Sequence, residues 1–127
     1  MIVIDTSALM ALLLGESEAD EIAALLESEE SLLISAGTLA EVLIVAKRRG
    51  LHEEMSQLLD GLSVDVADLG AAGAISVAQA YEAWGKGVHP AGLNFGDCFA
   101  YAAAKTNGAR LLFVGEDFAK TDVLAAL

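Results

Sequence analysis

Four acids are spaced along the chain so that a parallel α/β sheet would gather them. Asp5 closes a first apolar strand, Glu41 lies one turn into a helix, Asp97 opens another helix, and Asp117 follows a last strand. In Met1-Ile2-Val3-Ile4-Asp5-Thr6-Ser7 the apolar run passes directly into an acid and two hydroxyls. The acid therefore falls at the carboxyl end of its strand, the edge where open α/β sheets collect ligand sites. Two carboxylates about 4 Å apart repel by roughly 4 kcal/mol at an effective dielectric of about 20, and four together push one another's pKa values up. Such a cluster calls for a cation. An all-oxygen donor set without His or Cys suits a hard ion, Mg2+ with Mn2+ as a substitute, which keeps several waters and leaves room for a substrate phosphate.

Each acid also has a plain structural use. Thr38-Leu39-Ala40-Glu41 matches a capping box, in which Glu41 would accept from a backbone N–H at the start of its own helix. Asn94-Phe95-Gly96-Asp97 fits the same pattern, with Asn94 as the cap. Asp5 is placed to cap the helix beginning near Ser7, and Asp117 to cap a final turn. Taken singly, capping and ligation are both open. Taken jointly, ligation is favoured, because caps need not fall at one edge of one sheet.

The elements that must position these acids alternate, with short connections, as in a parallel sheet covered on both faces. Ile2 to Asp5, Leu32 to Ser35, Ser63 to Val66 and Leu111 to Val114 read as strands. Ser7 to Leu14, Glu18 to Ser28, Gly37 to Arg49, His52 to Leu59, Gly70 to Trp84 and Phe95 to Asn107 read as helices, several of them stopped by a glycine. Gly85 to Leu93, with three glycines and the only proline, reads as the one flexible passage. The expected fold class is α/β, a parallel sheet flanked by helices with an acidic site at the carboxyl edge of the strands.

With 127 residues, 55% of them hydrophobic, the chain makes one domain, 1–127, large enough to bury a core. Its apolar runs fall short of the roughly 20 residues of a membrane span, so no membrane association is expected. No export signal is apparent, and the single Cys98 offers no internal disulfide, so a cytoplasmic location and an inert, packed thiol are expected. Nineteen acids against seven bases give a net charge of −12, a field that repels polyanions at long range. Withdrawing the four candidate ligands still leaves −8. Much of the rest, between Glu16 and Glu30, reads as a solvated helix face. Any nucleic-acid contact must be local. Lys47-Arg48-Arg49 are three of the seven bases, placed either to hold a phosphate backbone or to complement the dipole at a helix C-terminus before Gly50.

Asp5-Thr6-Ser7-Ala8-Leu9, the helical Glu41, Phe95-Gly96-Asp97-Cys98-Phe99-Ala100-Tyr101-Ala102 and Leu111-Leu112-Phe113-Val114-Gly115-Glu116-Asp117-Phe118 together resemble a PIN-domain protein of the VapC toxin type. The resemblance runs through the whole chain in order. It implies a Mg2+-dependent endoribonuclease, a homodimer, paired in the cell with a VapB-like antitoxin that blocks the active site. Carried over, the family's acids fall on Asp5, Glu41, Asp97 and one of the pair Glu116-Asp117. Alignment on the strand favours Glu116, whereas the order running through Phe118 to Thr121-Asp122 favours Asp117, which we take as the fourth. Thr6 and Ser7 match small hydroxyl residues that could hold a metal water or a phosphate oxygen, although Ser7 equally suits a helix N-cap. Val114 departs from the family, whose residue there is often basic, and so removes one contact to RNA.

The implied chemistry is hydrolysis of a phosphodiester by metal-activated water, with one ion or two left undecided. His52 and His89 lie away from the acids in sequence, which disfavours a His-based acid–base mechanism. A haloacid-dehalogenase-like phosphotransferase would need a second acid where Ser7 stands. The remaining alternative is a catalytically silent module that keeps the fold and binds a partner. The helical stripes Ile22, Leu25, Leu26 and Leu39, Leu43, with Trp84 and Phe95, either face the sheet or supply a dimer contact or a groove for a partner helix. A partner's Arg could also enter the acidic site and pair with its carboxylates.

Overall fold

The computed structural model of the protein describes residues 1–127. Four strands, β1 (Ile2–Ile4), β2 (Leu32–Ser35), β3 (Asp65–Ala67) and β4 (Arg110–Leu112), pair in parallel in the order β3-β2-β1-β4. Six helices connect them: α1 (Thr6–Leu13), α2 (Ala19–Ser28), α3 (Ala36–Arg48), α4 (His52–Leu62), α5 (Ala71–Trp84) and α6 (Phe95–Thr106). This is the α/β class expected from the alternation of periods. No helix is long and apolar enough to cross a membrane.

The period of two in β1 divides the core. Ile2 and Ile4 point into a cluster with Leu9, Ile22, Leu26, Val42 and Met55 from α1 to α4, while Val3 points to the other face with Val77, Leu93, Ala100 and Leu111. All three β1 side chains are fully buried because β1 is central, with β2 and β4 on its two sides. A strand covered on both faces carries a continuous apolar run, and each such side chain contributes about 1.5–3 kcal/mol of burial. Asp5 follows this run directly, so a central strand buried on both faces carries the first acid.

The apolar stripes mostly serve this core. Ile22 and Leu26 are buried, and Leu25, Leu39 and Leu43 pack half-buried against the same cluster. Phe95 differs, with 68% of its surface exposed. Cys98 is a fully buried free thiol, and desolvation, with the nearby Asp97 charge, pushes its pKa up to about 11. That is the inert thiol expected.

Several boundaries differ from the sequence reading for local reasons. Helix α4 runs on to Leu62 and ends at Ser63 in a left-handed conformation (φ 52°), so β3 starts only at Asp65. Strand β4 ends at Leu112 because the next paired N–H, that of Val114, donates to the Ser7 hydroxyl rather than to a neighbouring strand. Gly85 to Leu93 is a closed turn: Leu93 N–H donates to Trp84 C=O and Lys86 N–H to Leu93 C=O, while His89 packs edge-on against Trp84 at 4.6 Å between centroids. The outer edge of β4 is covered by the C-terminal segment, since Leu111 N–H donates to Leu124 C=O and Ala126 N–H to Leu111 C=O. At the amino edge of the sheet Glu29 pairs with both the Met1 amine and Arg110.

Candidate active site

At the carboxyl edge β1 and β4 hand the chain to Asp5 and to the loop Phe113–Asp117. The Asp5 N–H donates to Leu112 C=O, continuing the ladder by one residue. The Asp5 side chain then caps α1. Its Oδ2 accepts from the Ser7 N–H at 3.0 Å and from the Ser7 hydroxyl at 2.6 Å. The Ser7 Oγ in turn accepts from the Val114 N–H at 3.0 Å. One oxygen of Asp5 is thus locked between two elements. The other, Oδ1, is buried and has no hydrogen-bond partner. Burial raises the Asp5 pKa to about 6, opposed by the Ser7 bonds and reinforced by the charges of Asp97 and Glu41.

Asp97 is held at the first turn of α6 by a capping box: Asn94 Oδ1 accepts from the Asp97 N–H at 2.8 Å, and Asp97 Oδ2 accepts from the Asn94 N–H at 3.0 Å. Capping uses one carboxylate oxygen and leaves the other, so the structural and the ligand roles coexist here. Desolvation raises the Asp97 pKa, offset by the Asn94 bond, with further upward contributions from Glu41 and Asp117.

Glu41 does not cap its helix. Helix α3 starts earlier than the Thr38 motif suggested, with Ser35 as its N-cap accepting from the Gly37 N–H, and Thr38 sits fully buried inside it. Glu41 is therefore free of the helix terminus, and its Oε1 accepts from the Thr6 hydroxyl at 2.6 Å. Its carboxylate lies against Gly96, where any Cβ would overlap Oε2. Asp117 precedes a short 3-10 turn, Phe118–Lys120, without capping it by its side chain.

Asp5, Asp97, Glu116 and Asp117 line one cleft of about 240 Å³ with Ser7 and Asn94. Gly115, at φ +112°, makes the turn that delivers the last two acids there. Glu41 flanks this cleft from α3 and couples to it through its charge on Asp5 and Asp97. Of the pair Glu116-Asp117, only Asp117 contributes to the shift of Asp97. The hydroxyls of Thr6 and Ser7 donate to acids, so neither has its proton free for a metal water or phosphate.

The donors fit a hard divalent cation. An unpartnered, buried carboxylate oxygen is costly, and Asp5 Oδ1 stands beside two acids whose charges oppose its ionisation. No three His, Cys, Asp or Glu side chains form a ready-made cage. A hard ion in this cleft would therefore take part of its shell from water, with some of the acids reaching it through that water.

Gly96 and the Val114 N–H are positioning groups that the sequence reading did not assign to the site. A glycine in the first turn of a helix, immediately before a candidate acid, is the signal that could have pointed to Gly96, because it forfeits helix propensity and marks a close approach.

The PIN domain family model matches residues 2–124. Ribonuclease VapC30 of Mycobacterium tuberculosis is 41% identical over 124 residues, 95% of either chain. Among solved structures, that of VapC20 from Mycobacterium tuberculosis, described as a Sarcin-Ricin loop cleaving toxin, superposes with a TM-score of 0.77 at 22% identity, covering 98% of this chain and 97% of its own. A toxin–antitoxin complex from Klebsiella pneumoniae superposes with a TM-score of 0.75 at 20% identity, covering 99% and 97%. On the family match and the relative's identity over nearly its full length, this chain belongs to the PIN-domain family, in its VapC ribonuclease group.

Proposed function

We propose that the protein is a metal-dependent endoribonuclease toxin that hydrolyses RNA phosphodiester bonds at the cleft formed by Asp5, Asp97 and Asp117. The observation that carries this reading is the state of Asp5, one oxygen fixed by Ser7 and the other buried without a partner beside further acids. Asp5, Asp97 and Asp117 would hold Mg2+, or Mn2+ in its place, directly or through its bound waters, with Glu41 bound through water or helping to hold a second ion. The chemistry supplied by such an ion is activation of a water, neutralisation of phosphate charge and stabilisation of the departing 3′-oxygen.

The chain's own contribution is preorganisation. Ser7 prevents Asp5 from turning its free oxygen away, and the Asn94 box holds Asp97 at a helix N-terminus, where the dipole favours its anionic form. Thr6 aims Glu41 along the edge of the cleft. The imidazoles take no part: His52 is exposed on α4, and His89 packs on Trp84 with its Nδ1 accepting from the Ala91 N–H.

A VapB-like antitoxin as partner, a homodimer and a cytoplasmic setting belong to the same proposal. The Klebsiella structural neighbour is itself a toxin–antitoxin complex. Elution as a dimer at micromolar concentration is expected, and a clean monomer would count against that part. The central test is cleavage of total cellular RNA by partner-free protein with Mg2+, Mn2+ or chelator, beside a folded Asp97→Asn variant. Discrete cuts that need metal and vanish in the variant support the nuclease. No cutting under any metal would instead make this PIN domain a binding module.

A further inference from the structure

The acidic cleft has two flanks of opposite character. One carries Glu116 and Asp117, and at Val114 no cation. The other opens past Glu41 into a groove of about 450 Å³ between α3 and α6, lined by Ile44, Arg48, Phe95 and Phe99 among others. Phe95 is 68% exposed there, its ring held edge-on by Phe99 at 4.8 Å between centroids and 72°. Arg48 makes no ion pair; the three in the protein use the Met1 amine, Lys105 and Arg110.

Resting on the nuclease reading above, we propose that this groove is the track along which single-stranded RNA leaves the cleft, with an unpaired base stacked on Phe95 and a neighbouring phosphate against Arg48. The argument is one of charge. A polyanion approaching a chain of net charge −12 can leave the acids only where a cation compensates it, and Arg48 is the cation lining a groove contiguous with Glu41 and Gly96. Lys47 and Arg49 flank it, and all three bases are exposed. An apolar protein side chain would use the Phe95 ring and leave Arg48 unmatched. A nucleotide, with a flat π-face and an anionic phosphate, uses both, as single-strand binders do with aromatic platforms and basic residues.

The test uses the full chain carrying Asp97→Asn to prevent cutting, with Mg2+, titrated into a single-stranded oligoribonucleotide containing 2-aminopurine. Binding with quenched fluorescence is expected. Adding Phe95→Ala should weaken it roughly 5- to 150-fold, Phe95→Trp should restore it, and Phe95→Leu should not. Arg48→Gln should reduce the slope of log affinity against log salt by about 0.7.

Equal rescue by Leu and Trp, or affinity and slope unchanged in every variant, would overturn the stacking site. So would loss of dimer elution on Phe95→Ala with RNA affinity intact, which would make the groove an interface between copies. If the wild type cuts RNA with metal while the Phe95 and Arg48 variants cut with unchanged KM, the track alone fails. If the protein neither binds nor cuts RNA, the track and the nuclease reading fail together.

Discussion

The hydroxyl of Thr6 donates to the carboxylate of Glu41 at 2.6 Å, tying the first turn of α1 to the second turn of α3 across 35 residues of chain. Through this bond the helix after β1 orients the acid carried by the helix after β2. Thr6→Val keeps the shape and removes the donor. Because the acceptor is charged and the pair is half-buried, a loss of about 1–2 kcal/mol is expected, read as a lower urea midpoint at unchanged m-value. Metal-dependent cleavage should fall as well, and a variant with wild-type activity would show that Glu41 needs no orienting.

Gly96 supports the same carboxylate from below. The three atoms nearest a Cβ at this position all belong to the Glu41 carboxylate, the far end of a flexible side chain that can swing away. Gly96→Ala should therefore change stability only slightly, the gain of up to about 1 kcal/mol from the better helix former being offset by the Thr6 bond lost when Glu41 moves. Cleavage should nevertheless drop, because Glu41 is displaced. Parallel thermal melts and initial rates check this opposition; rates that follow stability would remove Glu41 placement as the cause.

Asp5 makes stability depend on pH and metal in a defined direction. Its folded pKa, about 6, lies above the unfolded value of 3.8. Between these values the native state retains a proton that the unfolded chain has lost, so stability falls as pH rises through the window. The shift corresponds to a loss on the order of 3 kcal/mol by pH 7 in metal-free protein. Asp97, also raised, adds to it in the same sense. Mg2+ should recover stability, and by more at pH 7 than at pH 5. Asp5→Asn should abolish most of that dependence while raising metal-free stability near neutrality. Denaturant unfolding with chelator and with Mg2+ at the two pH values is the measurement.

Glu116 and Asp117 line the same cleft, and of the two it is Asp117 whose charge raises the Asp97 pKa. Asp117→Asn is expected to weaken metal activation roughly 10- to 100-fold, the range for groups supporting a metal site, while Glu116→Gln leaves the metal dose–response near wild type. The reverse order would assign the fourth position to Glu116.

Much of the frame was legible because local rules and tertiary context agree. The apolar run Ile2 to Ile4 ending in an acid, the alternation of periods and the Asn94/Asp97 box all read correctly, since a central strand must be apolar and a helix start must satisfy its own N–H groups. The Thr38–Glu41 box, open in the sequence beside ligation, goes unused because Ser35, at the end of β2, offers an earlier cap, and nothing local ranks the two. Gly85 to Leu93 looked loose from its glycines, yet it closes on hydrogen bonds to the end of α5 and on the Trp84–His89 contact, both set by packing.

By itself, then, the amino-acid order determined that this is an α/β chain with acids at the ends of strands and the starts of helices, because those positions follow from periodicity and caps within a few residues. Only the tertiary structure decided the strand order β3-β2-β1-β4, the pairing of Thr6 with Glu41, the seat of Glu41 on Gly96, and the burial that leaves one Asp5 oxygen without a partner. These depend on which distant segments meet and on how completely water is excluded between them, quantities that no local pattern carries.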